Sequence, residues 1–325
     1  MTEYYLEFER PIEELTKKIV ELQSSSSEDK IKQQVEELQK QCESLKKEIY
    51  ANLTPAQKVL IARHPQRPYS LDYISALFKD FLELHGDRNF RDDGAAVCGF
   101  ATIELNDKKS ISVCIVGQQK GRSLEENMSR NFGMMHPEGY RKALRIMKLA
   151  EKFGMPIITF IDTPGAYPGI GAEERGQAEA IAKNLQEMSL LKTPIITVVI
   201  GEGGSGGALG IGVADKLLML ENAYYSVISP EGCASILFRD AKKWQQAAEA
   251  LKITAKDLYE LGIVDEIIPE PLGGAHKDIK TMFENMRKVL VKYISELIQI
   301  PNSELLNLRY KKLRMFGQYE IGKEK

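Results

Sequence analysis

Residues 201–212 read GEGGSGGALGIG, with seven glycines in twelve positions, directly after the apolar run Pro194–Ile200. Small residues behind a buried strand permit positive φ and close backbone approach. Amides at the start of a short following helix are free to donate to an anion. Several chemistries fit these facts. Gly201-x-Gly203-x-x-Gly206 matches a dinucleotide fingerprint, and Glu221 stands where a ribose-binding acid would sit. Against it, more glycines follow where a robust helix should begin. Gly203-x-Ser205-x-Gly207 matches a nucleophile elbow. That reading needs a base. Only His276 follows the serine, and His85 or His136 would serve in other chain orders. The third chemistry is an oxyanion hole, in which the backbone amides of Gly206, Gly207 and Ala208 face a carbonyl oxygen that becomes negative. Gly203, Gly204 and Ser205 would then line the bound group. A plain tight connection is the bland alternative, but it needs far fewer glycines.

A second turn of small residues supports the third chemistry. The apolar run Ile157–Ile161 ends in Asp162-Thr163-Pro164-Gly165-Ala166-Tyr167, followed by Glu173-Glu174-Arg175-Gly176. Two such turns after adjacent strands would share one cleft at the strands' C-terminal ends, where α/β proteins hold ligands. Gly165 and Ala166 would add backbone donors, and Tyr167 a binding surface. Residues 117–152 carry eight basic and four acidic residues. Arg122, Arg130 and Arg141 are candidate contacts for a phosphorylated substrate. A solvated helix face with i,i+4 ion pairs is the competing reading.

The elements that position these turns follow from periodicity. Phe8, Ile12, Leu15, Ile19 and Leu22 form one apolar seam, and Ile31, Val35, Leu38, Cys42, Leu45 and Ile49 form another. They predict an antiparallel helical hairpin, broken at Ser24–Ser27, whose serines cap the second helix. The segment is acidic, with twelve acidic and eight basic residues, and its apolar stripe needs a partner surface. Thr54-Pro55 starts a third helix that ends before His64-Pro65. Leu71–Leu84 is expected to be helical. Ala96–Ile103 and Ser110–Gly117 read as a hairpin around Asn106-Asp107. Then come helix Tyr140–Phe153, strand Ile157–Ile161, helix Ala172–Leu191, strand Ile195–Ile200, a short helix, and strands Lys216–Leu220 and Tyr225–Ile228. Thr254 caps a helix ending at Gly262, Ile267-Ile268 follows, and a long helix Ile279–Leu297 and a basic tail (Arg309, Lys311, Lys312, Arg314) close the chain. This is an α/β pattern with right-handed crossovers. We divide it at residues 1–85, 86–270 and 271–325.

Composition narrows the classes. The 325 residues are 43% hydrophobic and 28% charged, with net charge −2, which excludes a disordered chain and argues against a dedicated nucleic-acid binder. The longest apolar runs fall far short of the ~20 residues that span a bilayer. No secretory signal is seen, so a cytoplasmic location is expected. Cys42, Cys98, Cys114 and Cys233 form no Cys-x-x-Cys pair, so neither a zinc ribbon nor a disulfide framework is expected, and no metal site is assigned to this chain.

The sequence blocks ARHPQRPYSLDYI (Ala62–Ile74), LHGDR (Leu84–Arg88), RNFGMMHPEGYRKALR (Arg130–Arg145), FIDTPGAYPGIGAEERGQ (Phe160–Gln177), GEGGSGGALGIG and YSVISPEGCASILF (Tyr225–Phe238) closely resemble the alpha subunits of the carboxyltransferase component of bacterial acetyl-CoA carboxylase. The likeness runs in order from about Pro11 to about Pro269. It implies a crotonase-type spiral of ββα units behind an N-terminal helical region. It also implies an α2β2 assembly with a beta subunit, which alone carries the zinc. The implied reaction moves a carboxyl group from carboxybiotin, on a biotin carboxyl carrier protein, to acetyl-CoA. The product, malonyl-CoA, feeds fatty-acid synthesis. ATP is spent on a separate biotin carboxylase. The resemblance gives the glycine-rich amides and the Gly165-Ala166 turn the task of holding the biotin ureido oxygen as CO2 departs. The biotin nitrogen takes a proton from the acetyl methyl, and a second oxyanion hole on the beta subunit holds the enolate. The alternative is a crotonase-like hydratase or isomerase acting alone, which needs two converging carboxylates; Glu173 and Glu174 would diverge on a helix.

Overall fold

The computed structural model describes residues 4–25, 29–106 and 109–317. Helices α1 (Arg10–Ser25) and α2 (Asp29–Ala51) open it. Tyr50 donates to Glu9 at 2.8 Å, and Thr16 meets Cys42 at 3.9 Å, so the two helices run antiparallel. Their stripes close on each other, with Ile12 and Ile19 against Val35 and Cys42. The serine cap expected for the second helix lies outside the described residues. α3 (Pro55–Ala62) begins with a capping box: Thr54 Oγ1 accepts from the Gln57 amide, and the Gln57 side chain accepts from the Thr54 amide.

The helix expected over residues 71–84 is shorter. α4 (Ser70–Leu77) stops, and Lys79–Glu83 forms strand β1. Asp80 has φ +54°, which no right-handed helix contains, and Leu84 donates to the Cys98 carbonyl at 2.8 Å. The free edge of β2 (Ala96–Glu104) therefore overrides local helical pattern. β2 and β3 (Ser110–Gln118) pair antiparallel from Ala96↔Gln118 to Glu104↔Ser110. Asp107, in the hairpin turn, lies outside the described residues. α5 (Leu124–Ser129), α6 (Pro137–Lys152) and β4 (Ile157–Thr163) follow. The single helix expected over 172–191 is two, α7 (Ile170–Glu174) and α8 (Gln177–Leu190), because Gly176 adopts φ +81° between them.

β5 (Ile195–Gly204) is longer than the expected strand and runs into the glycine-rich segment. It leads into α9 (Ser205–Leu209), β6 (Lys216–Leu220), β7 (Tyr224–Ser226), α10 (Pro230–Phe238), α11 (Trp244–Ala250), α12 (Ala255–Glu260) and β8 (Glu266–Ile268). The sheet order is β1-β2-β3-β4-β5-β6-β8, with β7 also on β5. All pairs from β3 onward are parallel. β5 changes neighbour along its length: Ile196–Val199 pair with β6, and Glu202–Gly204 pair with β7.

α13 (Ile279–Leu297) and α14 (Asn302–Arg314) complete the chain, and Met282, Met286, Leu290, Ile294 and Leu305 join the main core. The basic tail expected from the sequence is this last helix. Arg309 is fully buried and gives five hydrogen bonds, two to Asp215 and three to the carbonyls of Met188, Leu191 and Thr193. Lys312 pairs with Asp265.

Candidate active site

β4 and β5 are neighbours, and the turns that leave them interlock. A Cβ at Gly204 would stand 2.2 Å from the Pro164 carbonyl oxygen, and one at Gly207 would stand 2.3 Å from the Gly165 carbonyl carbon. Glycine is needed at both places because backbone meets backbone. The expected positive φ is absent from every glycine of 201–212; it falls on Ser205, at +51°. Such a conformation is strained for serine and is typical of functional turns. Because α9 starts at Ser205, the amides of Ser205, Gly206 and Gly207 have no acceptor within the helix. In the facing turn the Gly165 amide donates to Thr163 Oγ1 at 3.2 Å.

Under the turns lies a buried ionic network that sequence reasoning missed. Lys120 Nζ donates to Asp162 at 2.7 Å and to Glu202 at 2.8 Å. Glu202 also accepts from Arg63 Nε and from the Tyr224 hydroxyl, each at 2.7 Å. Arg63 reaches on to Glu231 at 2.5 Å. Burial alone would raise the Glu202 pKa, but Lys120 and Arg63 outweigh it and hold the carboxyl at about 2. Burial would likewise lower the Lys120 pKa, and Asp162 and Glu202 reverse that and raise it. The signal available in the sequence was an acid inside the glycine run, beside a strand-end Asp162.

A largely apolar pocket of about 440 Å³ opens beside Ser205, lined by Leu209, Tyr225, Val227, Ile253, Leu258 and Ile263 among others. Tyr167 lies in the other turn, its ring 4.1 Å from that of His136. The three arginines singled out from the sequence are engaged within the chain. Arg122 stacks 3.9 Å over Tyr69, pairs with Asp72, and donates to the Pro65 and Arg67 carbonyls. Arg130 donates to the Gly94 carbonyl at 2.8 Å. Arg141 pairs with Asp87 at 2.8 Å and donates to the Arg175 carbonyl. Among the described residues, none of these contacts reaches the glycine turns.

The competing chemistries fare poorly. Gly201 and Gly203 lie inside β5, and α9 has only five residues, so the loop and long helix of a dinucleotide site are missing. No histidine lines the pocket beside Ser205. His276 stacks instead on His64, with ring centroids 3.7 Å apart. Glu173 and Glu174 are both exposed on α7, so they form no cleft pair. Among the described residues no group of His, Cys, Asp and Glu is arranged to hold a metal, and no helix is long and apolar enough to cross a membrane.

Comparison with known proteins identifies the family and the fold. Residues 5–317 match the family model described as acetyl co-enzyme A carboxylase carboxyltransferase-like. The chain is 54% identical to the acetyl-coenzyme A carboxylase carboxyl transferase subunit alpha of Geobacter metallireducens, over 98% of this chain and 99% of that one. It is 55% identical to the same subunit of Neisseria gonorrhoeae, over 98% of this chain and all of that one. Among solved structures, transcarboxylase 12S superposes with TM-score 0.56 at 21% identity, covering 72% of this chain and 42% of the other. The beta subunit of Pseudomonas aeruginosa geranyl-CoA carboxylase gives TM-score 0.53 at 16% identity, covering 76% and 45%. These distant structures share the crotonase-type fold, and the chain spans less than half of either. The near full-length match places this chain in the alpha-subunit family of acetyl-coenzyme A carboxylase carboxyl transferases, crotonase-fold enzymes that serve fatty-acid synthesis.

Proposed function

We propose that this chain stabilises the ureido oxyanion of biotin while a carboxyl group passes from carboxybiotin to acetyl-CoA. The observation that carries the reading is the interlocked pair of turns at the ends of β4 and β5, with the helix-start amides of Gly206 and Gly207 beside an apolar pocket. Ala208 continues the same turn, and Ala166 faces it across the Gly207–Gly165 contact. Carboxybiotin is a substrate here, delivered on its carrier protein. Cleavage of its N–carboxyl bond frees CO2 and leaves the electron pair delocalised onto the ureido oxygen. The glycine amides lower the energy of that charge, each donor contributing on the order of 10²–10³ in rate by analogy with other oxyanion holes. The biotin nitrogen then takes a proton from the acetyl methyl, and the enolate carbon bonds to CO2. The apolar pocket excludes water from the freed CO2 and the basic nitrogen.

A second oxyanion hole for the enolate belongs, in this reading, to a zinc-bearing beta subunit in an α2β2 complex. The biotin carboxyl carrier protein and an ATP-dependent biotin carboxylase supply the substrate, and the complex works in the cytoplasm. Gly203, Gly204, Ser205 and Tyr167 are read as the walls of the biotin site. Arg122, Arg130 and Arg141, whose donors also serve this chain's own carbonyls and carboxylates, are read as contacts for the phosphorylated substrate.

The test is co-expression with a zinc-ribbon beta subunit and measurement of malonyl-CoA decarboxylation with free biotin. The complex should be active and the isolated chain inactive. Ser205→Ala should keep most of the activity, since no nucleophile is invoked. Loss of all activity in a folded, assembled Ser205→Ala complex would replace this reading with a serine nucleophile.

A further inference from the structure

Two glycines in a row leave the backbone of an oxyanion hole with more freedom than any other residues would, so something outside the turn has to hold it. One side chain does this. Gln118, the last residue of β3, is fully buried. Its Nε2 donates to the Gly207 carbonyl oxygen at 2.7 Å, and its Oε1 accepts from the Asp162 amide at 3.1 Å. The same Nε2 lies 3.6 Å from Met135 Sδ, so the amide group has partners at both ends. Its own carbonyl accepts from Ser70 Oγ at 2.6 Å, which anchors the residue from behind. Gln118 therefore ties together the end of β4, which leads into the Pro164–Ala166 turn, and the residue whose amide is read as an oxyanion donor.

We infer that Gln118 is a positioning residue for carboxyl transfer. It sets the orientation of Gly207 and the spacing between the two turns, without touching substrate. The inference rests on the oxyanion reading proposed above. A fixed Gly207 carbonyl fixes the plane of the Gly207–Ala208 peptide, and with it the direction of the Ala208 N–H, which points the opposite way in that plane. Neither partner is free to drift, because an unpaired buried carbonyl or amide carries a full desolvation cost. A polar side chain at the fully buried end of β3 is otherwise unexplained, since an apolar residue of that size would fill the space.

The experiment is a double-mutant cycle in the reconstituted α2β2 complex, read by malonyl-CoA decarboxylation with biotin. Gln118→Met keeps the size and removes both polar contacts. Replacing Ala208 by lactic acid through nonsense suppression converts the Gly207–Ala208 amide to an ester and removes the Ala208 N–H. Gln118→Met should lower kcat about tenfold, the effect of one ordinary hydrogen bond, with KM for malonyl-CoA unchanged within about twofold. In the ester background the same substitution should have little further effect, because the group that it aims is gone. An ester complex as active as wild type would overturn the oxyanion reading itself. A slow ester complex in which Gln118→Met still costs its full factor would overturn the role of Gln118 alone, as would an unchanged kcat in Gln118→Met. Should the methionine variant fail to assemble, Gln118→Leu, which also removes both polar contacts, takes its place in the cycle under the same criteria.

Discussion

Gly207 lies against Gly165 so closely that the smallest side chain on Gly207 would overlap the backbone of the opposite turn, 2.3 Å from its carbonyl carbon. One position earlier the situation reverses. A Cβ at Gly206 would meet only Ile181 Cδ1, at 3.4 Å. We predict that Gly206→Ala folds with a melting temperature close to wild type. Gly207→Ala should lose about 1–3 kcal/mol to overpacking, because backbone cannot move aside as a side chain can. Thermal unfolding of the two variants checks this. Equal stability would mean that the turns are not interlocked.

Lys120 is predicted to be indispensable to the fold around the site. Removing it as Lys120→Met leaves Asp162 and Glu202 buried without their shared cation, a change that typically costs about 3–5 kcal/mol. Chemical denaturation should show the loss, and Lys120→Met combined with Glu202→Gln should recover part of it. The pH profile offers a second check. Glu202 is held below its unfolded pKa, so it contributes stability that is present above about pH 4.5 and lost as pH falls toward about 2.

Arg309→Lys should behave as a severe change rather than a conservative one. The guanidinium spends all five of its donors on Asp215 and three carbonyls, and an ammonium has three donors and no planar fork. We expect a loss of about 2–4 kcal/mol, between one and three buried hydrogen bonds with a charged partner. Urea unfolding monitored by circular dichroism measures it, and a loss below about 1 kcal/mol would be inconsistent with the packing of α14 described above.

His276 is a second acid-sensitive element. Burial first, then His64, Lys277 and Arg67, push its pKa down to about 3, and neither ring nitrogen has a hydrogen-bond partner. Glu270 acts the other way, as Glu9 does on the stacked His64. The unfolded chain binds a proton on this residue from about pH 6.5 downward while the folded chain does not. The contribution of neutral His276 is therefore complete above about pH 6.5 and lost as pH falls toward 3. His276→Phe keeps a ring against His64 and carries no proton. Between pH 7 and pH 5 the melting temperature of wild type should fall more steeply than that of this variant. Parallel curves would show that His276 titrates normally.

The sequence by itself determined the elements whose cause is local. The apolar seams wrote out α1 and α2, Thr54-Pro55 wrote the start of α3, and the β-branched runs wrote β3, β4 and the first part of β5. The small-residue turns, and the blocks that resemble a known family, also stood in the chain in plain order. What tertiary structure decided were the features whose partners are distant. Residues 79–83 became strand because β2 offered an edge, and Glu202–Gly204 remained strand because β7, and at Gly203 also β4, paired with them. Gly204 and Gly207 proved to serve contact between two turns, while the positive φ went to Ser205. Arg309, which reads as part of a soluble basic tail, became buried because Asp215 and three carbonyls at and just beyond the end of α8, 94 to 121 positions away, needed a cation. The same holds for Lys120, Glu202 and Gln118. Each is an ordinary polar residue in one dimension, and it acquires its role only where burial removes water and leaves no other partner.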